Sequence, residues 1–98
     1  MERECGVLLA VDGAVRAELA KVANGVHELE DLMGCELGPG HAGPHEALGQ
    51  TAGDGTDYWL RWSDGEAVHV KVLEPCEVES DSGDFCLLPS GHPGAHRF

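Results

Sequence analysis

Apolar residues in this chain fall into three patterned stretches, parted by two runs too rich in glycine and proline for regular structure. The first stretch, Gly6-Val-Leu-Leu-Ala-Val11, is a short apolar run that reads as a strand or as a core-packed N-terminal segment. Asp12-Gly13 then breaks the pattern and offers an N-cap. In the second stretch Val15, Leu19, Val22, Val26, Leu29, Leu32 and Met33 step by three, four or one, with Arg16, Glu18, Lys21, Glu28, Glu30 and Asp31 mostly off that stripe. Asn24-Gly25 interrupts it, either as a helix C-terminus or as a hairpin turn. Period 2 explains fewer of the apolar positions, so the expectation is a helical piece split in two. The third stretch is Tyr58-Trp-Leu-Arg-Trp62 and Glu66-Ala-Val-His-Val-Lys-Val72 around Ser63-Asp64-Gly65. These are aromatic and β-branched strands about an Asp-Gly turn, the clearest hairpin signal in the chain. Gly49 to Asp57 reads as a flexible loop, and Glu77 to Asp84 as an acidic linker.

The two Gly/Pro-rich runs change the picture. Cys35-Glu-Leu-Gly-Pro-Gly-His41-Ala-Gly-Pro-His45 returns 51 positions later as Cys86-Leu-Leu-Pro-Ser-Gly-His92-Pro-Gly-Ala-His96, with six of eleven positions identical. Each copy spells C-x5-H-x3-H, and a thiolate with two imidazoles at close spacing is a donor set that Zn²⁺ takes in tetrahedral structural sites. Cys76 supplies a fourth donor for the second copy, giving Cys76, Cys86, His92 and His96 within 21 residues. For the first copy Cys35, His41 and His45 need a fourth. Cys5 is the remaining thiol and His27 the rival. Thiolate is the better structural donor, and loop-closure cost grows slowly with length, so Cys5 is the expected ligand. Were neither to ligate, Cys35-His41-His45 plus water would be an open catalytic zinc site, with Glu36 and Glu46 nearby. A disulfide reading, Cys5–Cys35 and Cys76–Cys86, would leave six histidines unexplained.

Composition supports metal over a large core. There are 98 residues with two Trp, two Phe, one Tyr and 14 Gly. A domain of about this size buries only roughly 60–65% of the surface its unfolded chain exposes, so it benefits from a staple. Trp59 and Trp62 lie on opposite faces of their strand: one is expected in the core, and the other either packs or binds. His69, on a strand beside Val68 and Val70, is expected to face solvent or support other groups rather than ligate. Six Lys and Arg against 18 acidic residues give a formal charge of −12, which repels phosphate backbones. The scattered cations form no basic stripe, so nucleic-acid binding is not expected, and a basic protein partner is. Met1-Glu-Arg-Glu-Cys5 has no apolar leader core and no apolar run approaches membrane-spanning length, so the expected location is the cytoplasm, without membrane contact. Nucleophile elbows, Walker loops, dinucleotide fingerprints and HExxH are all missing, and no catalytic residue is assigned.

The repeated Cys-x-Leu-(Gly/Pro)-x-Gly-His-x-Gly-x-His segment resembles a motif of small zinc-binding proteins of actinobacteria and their phages. The resemblance covers residues 35–45 and 86–96 and implies zinc binding, with no catalytic residue to carry over. Its spacing departs from the C-x2-C…H-x3-H finger with a recognition helix between the pairs, a second reason against reading DNA. The sequence therefore predicts an α+β fold: one domain over residues 1–98, with an N-terminal helical piece, a β-hairpin and two metal loops, holding two Zn²⁺. Its expected role is as a protein-binding, regulatory or accessory module. The alternative is a zinc enzyme on the open Cys35-His41-His45 site.

Overall fold

A computed structural model describes residues 5–94 and 96–98. Met1 to Glu4, on which the expectation of no leader rests, and Ala95 of the second motif lie outside the described residues. The element order is β1 (Leu8–Ala10), α1 (Gly13–Ala20), β2 (Leu32–Gly34), β3 (His45–Thr51), β4 (Asp57–Trp62) and β5 (His69–Val72). Two antiparallel sheets result, β1-β2 and β3-β4-β5, so the chain is α+β, with one short helix.

The helix starts where Asp12 caps it: its carboxylate accepts the Val15 N–H at 2.9 Å. Val15 and Leu19, one turn apart, bury one face. The second predicted helix does not form. After Lys21 the chain turns, Asn24 takes a positive φ of 53°, and residues 32–34 run as β2 against β1 in the register Leu8↔Gly34, Leu9↔Met33, Ala10↔Leu32. The three-and-four spacing beyond Asn24 is thus not a helix period. Strand pairing back to residues 8–10 satisfies the backbone and draws the Cys5 and Cys35 ends of the two strands together.

The predicted hairpin forms as β4 and β5, but its connection is longer than expected. Arg61 pairs with His69, so residues 63–68 all lie in the loop, with Gly65 at φ 76°. β3 was not expected: His45 ends a predicted metal loop, Gly49 to Thr51 fall in the predicted flexible loop, and residues 46–48 carry no assignment. His45-Glu-Ala-Leu-Gly-Gln-Thr51 has weak strand propensity and no period-2 burial, because the register shifts between Leu48 and Gln50. Gly49 sits in that irregularity for a packing reason: a Cβ there would meet both Leu19 methyls at 3.1 Å and Leu60 at 3.3 Å. The missing side chain lets α1 lie on the three-stranded sheet. Gln50 finishes the join by standing in for a strand neighbour: its amide accepts the His27 N–H and donates to the His27 carbonyl, both at 2.9 Å.

Both tryptophans are buried, so neither is a free binding aromatic. The core joins Val15 and Leu19 to Leu37, Ala47, Trp59, Leu60, Trp62 and Leu88, and it includes Cys35, Cys76 and Cys86. Three of the four candidate cysteine ligands are therefore part of the core, with Cys5 packed against it. Both faces of β4 are covered, which is why a chain with so few aromatics uses all of its indoles in packing. The acidic stretch 77–84 is a hairpin tip rather than a linker: Glu79 bridges Phe85, and the Ser80 N–H donates to the Asp84 carbonyl at 2.7 Å. Among the described residues no helix is long and apolar enough to cross a membrane.

Candidate metal centres

Each centre is a pair of adjacent strands followed by a Gly-rich loop. In the first, the Cys5 N–H donates to the Leu37 carbonyl at 2.6 Å and the Cys35 N–H to the Val7 carbonyl at 2.9 Å. In the second, Cys76 donates to Leu88 at 2.9 Å and Cys86 to Val78 at 2.9 Å. The same two hydrogen bonds thus align the same residue types, Cys-x-Val against Cys-x-Leu. The loops match as well. His41 N–H donates to the Gly38 carbonyl at 3.3 Å, and His92 N–H to that of Pro89 at 3.2 Å. Gly40 and Gly43, like Gly91 and Gly94, adopt φ between 74° and 80°, a left-handed conformation that a side chain would strain. Those turns fold each His-x3-His back onto its two cysteines.

The donor atoms of Cys5, Cys35, His41 and His45 all lie within 4.8 Å of one another, and so do those of Cys76, Cys86, His92 and His96. Cys35 Sγ is 3.4 Å from His41 Nε2 and Cys5 Sγ is 3.5 Å from His45 Nδ1. The second centre repeats this, with Cys86 Sγ 3.5 Å from His92 Nε2 and Cys76 Sγ 3.6 Å from His96 Nδ1. His92 Nε2 and His96 Nδ1 are 3.2 Å apart. A tetrahedral zinc with bonds of about 2.3 Å to sulfur and about 2.05 Å to nitrogen sets S···N edges near 3.6 Å and N···N edges near 3.3 Å. These four S···N separations and the one N···N separation lie close to those edges, so each donor set could hold a metal ion of that size.

The groups behind the ligands agree. His41 Nδ1 lies 3.1 Å from the Ala42 carbonyl, and His92 Nδ1 lies 3.2 Å from that of Pro93. A carbonyl can only accept, so each Nδ1 carries the proton and each Nε2 turns a lone pair toward the thiols, the arrangement that orients histidines on metals. In the second centre the lone pair of His92 also faces His96 Nδ1, a contact that needs a cation or a proton between the two nitrogens. The two imidazoles in each centre are nearly perpendicular, with centroids 5.3 Å apart at 88° and 5.1 Å apart at 85°. His45 packs on Trp62 at 5.5 Å, tying the first centre to β4. The Arg97 backbone N–H points at Cys86 Sγ from 3.4 Å. Burial pushes the Cys35 thiol up, and the neighbouring Cys5 adds in the same direction against backbone hydrogen bonds at Glu46 and Leu37. A metal must displace that proton.

All four cysteines are free thiols. Cys5 stands with Cys35, His41 and His45, whereas His27 stands apart, its Nε2 3.2 Å from the Thr51 hydroxyl. The three-donor arrangement with an open position is therefore not what the structure holds. Both nearby carboxylates are engaged in hydrogen bonds. Glu46 is buried and takes two hydrogen bonds from Arg61, at 3.0 and 3.3 Å. Glu36 accepts the Leu48 N–H at 2.6 Å and meets Arg97 at 3.3 Å. His69 is exposed on the edge strand β5 and is not among the clustered donors.

Sequence reasoning missed the Glu36–Arg97 pair, which links a residue next to Cys35 to one next to His96. It also missed the duplicated Cys-x-Val element. Cys5-Gly-Val7 and Cys76-Glu-Val78 carry that element in plain view, but three residues are too short to register without the strand pairing. No protein-family model, no curated protein and no solved structure matches the chain.

Proposed function

We propose that this protein is a small structural zinc module, carrying two Zn²⁺ per chain, that works in the cytoplasm by binding another protein through its acidic surface. The observation that carries the reading is the closed donor set. Cys5 fills the fourth position of the first centre as Cys76 fills that of the second, and four protein donors without an open position make a structural site rather than a catalytic one. Two thiolates offset each Zn²⁺, so the loaded module keeps its charge of −12. That charge disfavours nucleic acid and speeds encounter with a basic protein. Four free thiols fit a reducing compartment. A zinc enzyme is the weaker reading, because Cys5 stands where water or substrate would enter.

Elemental analysis of protein purified without added metal tests the first half, with two zinc per chain expected. A value near zero together with oxidised cysteines would overturn it. A titration against random duplex DNA at physiological salt tests the excluded class, and tight, salt-sensitive binding would show the charge argument to be wrong.

A further inference from the structure

The two centres give an internal control for what zinc binding requires. The aligning hydrogen bonds match Cys5 with Cys76, Val7 with Val78, Cys35 with Cys86 and Leu37 with Leu88, all identical. They also match Gly6 with Glu77, Leu8 with Glu79, Gly34 with Phe85 and Glu36 with Leu87, and all four of those differ. Residues peculiar to one unit are not needed to bring the four donors together, since the other unit does so without them.

In the second unit the differing residues form one surface. Glu79 bridges Phe85, and Glu77 stands opposite Leu87 between the Cys76–Leu88 and Cys86–Val78 hydrogen bonds. Partners across an antiparallel pair share a face, and pairs without mutual hydrogen bonds bring their side chains closest. An apolar column, Phe85 and Leu87, therefore runs beside an acidic column, Glu77 and Glu79, with Asp81 and Asp84 at the tip. Phe85 is 59% exposed and Leu87 60%, although Cys86 between them is buried. The first unit holds its centre with glycine and a carboxylate at those two positions, so the exposed apolar pair has no metal-holding purpose.

We infer that this outer face, Phe85 and Leu87 beside Glu77 and Glu79, docks a basic amphipathic helix of a partner protein. The inference rests on the protein-binding reading above and names the partner's chemistry. Charge complementarity selects the occupant. A segment with an apolar stripe bordered by Lys or Arg meets both columns at once. Alternate residues along a strand lie about 6.6 Å apart, close to the roughly 5–6 Å between neighbours on a helix face. A second copy would set acid on acid, and anionic membranes or nucleic acid would be repelled.

The probe is a labelled model helix with a leucine stripe flanked by lysines, titrated by fluorescence anisotropy into the zinc-loaded protein. Its controls are a scrambled peptide of the same composition and one with Glu for Lys. The striped peptide should bind, with the scrambled one weaker by about tenfold or more and the acidic one inert. Phe85→Ser with Leu87→Ser should cost about tenfold, the size expected of an interface anchor, with two zinc retained. Leu8→Ser in the first unit should change nothing, and Glu77→Gln with Glu79→Gln should remove most of the salt dependence. Equal binding of the striped and scrambled peptides, or indifference to the Phe85/Leu87 change, would overturn this face while leaving a more general acidic binding surface standing. A dimer in sedimentation that dissociates on Leu87→Ser would assign the face to self-assembly instead. Loss of zinc in the wild-type protein would count against the module reading itself.

Discussion

The first metal centre and the second share a ligand geometry but enclose different things. Twenty-nine residues separate Cys5 from Cys35, including α1 and the whole of β1 and β2, while nine separate Cys76 from Cys86 in a plain hairpin. Closing the longer loop costs only about 1 kcal/mol more, at roughly 0.6 kcal/mol per doubling of length. A Cys/His centre of this kind is thus indifferent to how much chain lies between its cysteine pair, provided Cys-x-Val meets Cys-x-Leu in register. What differs is the consequence of losing it. The first centre places Cys35 fully buried against Leu37, leans His45 on Trp62 and ties α1 into the fold. The second closes the C-terminal hairpin and presents its outer face.

The largest expected effect removes the distinction altogether. Zinc in structural peptides contributes an apparent ~10–16 kcal/mol at neutral pH, against a total stability of about 5–15 kcal/mol for a typical domain. Chelation should therefore collapse both units, abolishing near-UV circular dichroism and cooperative melting together. Retention of both would show that the centres are not structural. Acid should release the ions as well, because thiols and imidazoles must be deprotonated to ligate. Burial pushes the Cys35 thiol up, so a metal there displaces a proton held more firmly than in the unfolded chain, which adds to the sensitivity to acid.

Next in size are variants that separate the centres. Cys35→Ser should lose one zinc and most of the tryptophan near-UV signal, since Trp62 and the buried thiol share one core. Cys86→Ser should also lose one zinc while keeping more of that signal. Equal loss of signal would mean that the two units fold only together. Beside the core that both units share, the Glu36–Arg97 bridge is a polar contact that would couple them, and Gly94 lies against His41, where a Cβ would be 3.5 Å from that of His41. Glu36→Gln weakens this ion pair and the bond to the Leu48 N–H, and should cost on the order of 1–2 kcal/mol by thermal melting, with both zinc retained.

The same contrast explains what could be read in advance. Ligand chemistry demands fixed residue types at fixed spacing, and Cys35, His41 and His45 repeat as Cys86, His92 and His96, so the loops were legible. The β4–β5 pair was legible from its alternation and its Asp-Gly turn. β3 was hidden because Gly49 breaks its register to admit Leu19, a packing event between distant segments. The predicted second helix failed for the opposite reason. Val26, Leu29, Leu32 and Met33 have helical spacing, but Leu32 and Met33 are held in β2 by pairing with β1, which local periodicity cannot register. Glu77 to Asp84 read as a linker because the Cys-x-Val signal that makes it a hairpin tip has only three residues.

The smallest expected effect concerns the histidine that competed for the first centre. Cys5→Ser should cost one zinc, and His27→Ala should leave two, read by elemental analysis on matched preparations. His27 is fixed to Gln50 through its backbone N–H and carbonyl, which alanine preserves. Its exposed side chain gives up only the 3.2 Å contact with the Thr51 hydroxyl. An exposed hydrogen bond of that kind is worth about 0.5–1.5 kcal/mol at most, because water replaces it, so the melting temperature should hardly move. Loss of a zinc on His27→Ala, with both retained in Cys5→Ser, would reassign the fourth ligand. It would also break the match between the two centres, since Cys5 would no longer correspond to Cys76.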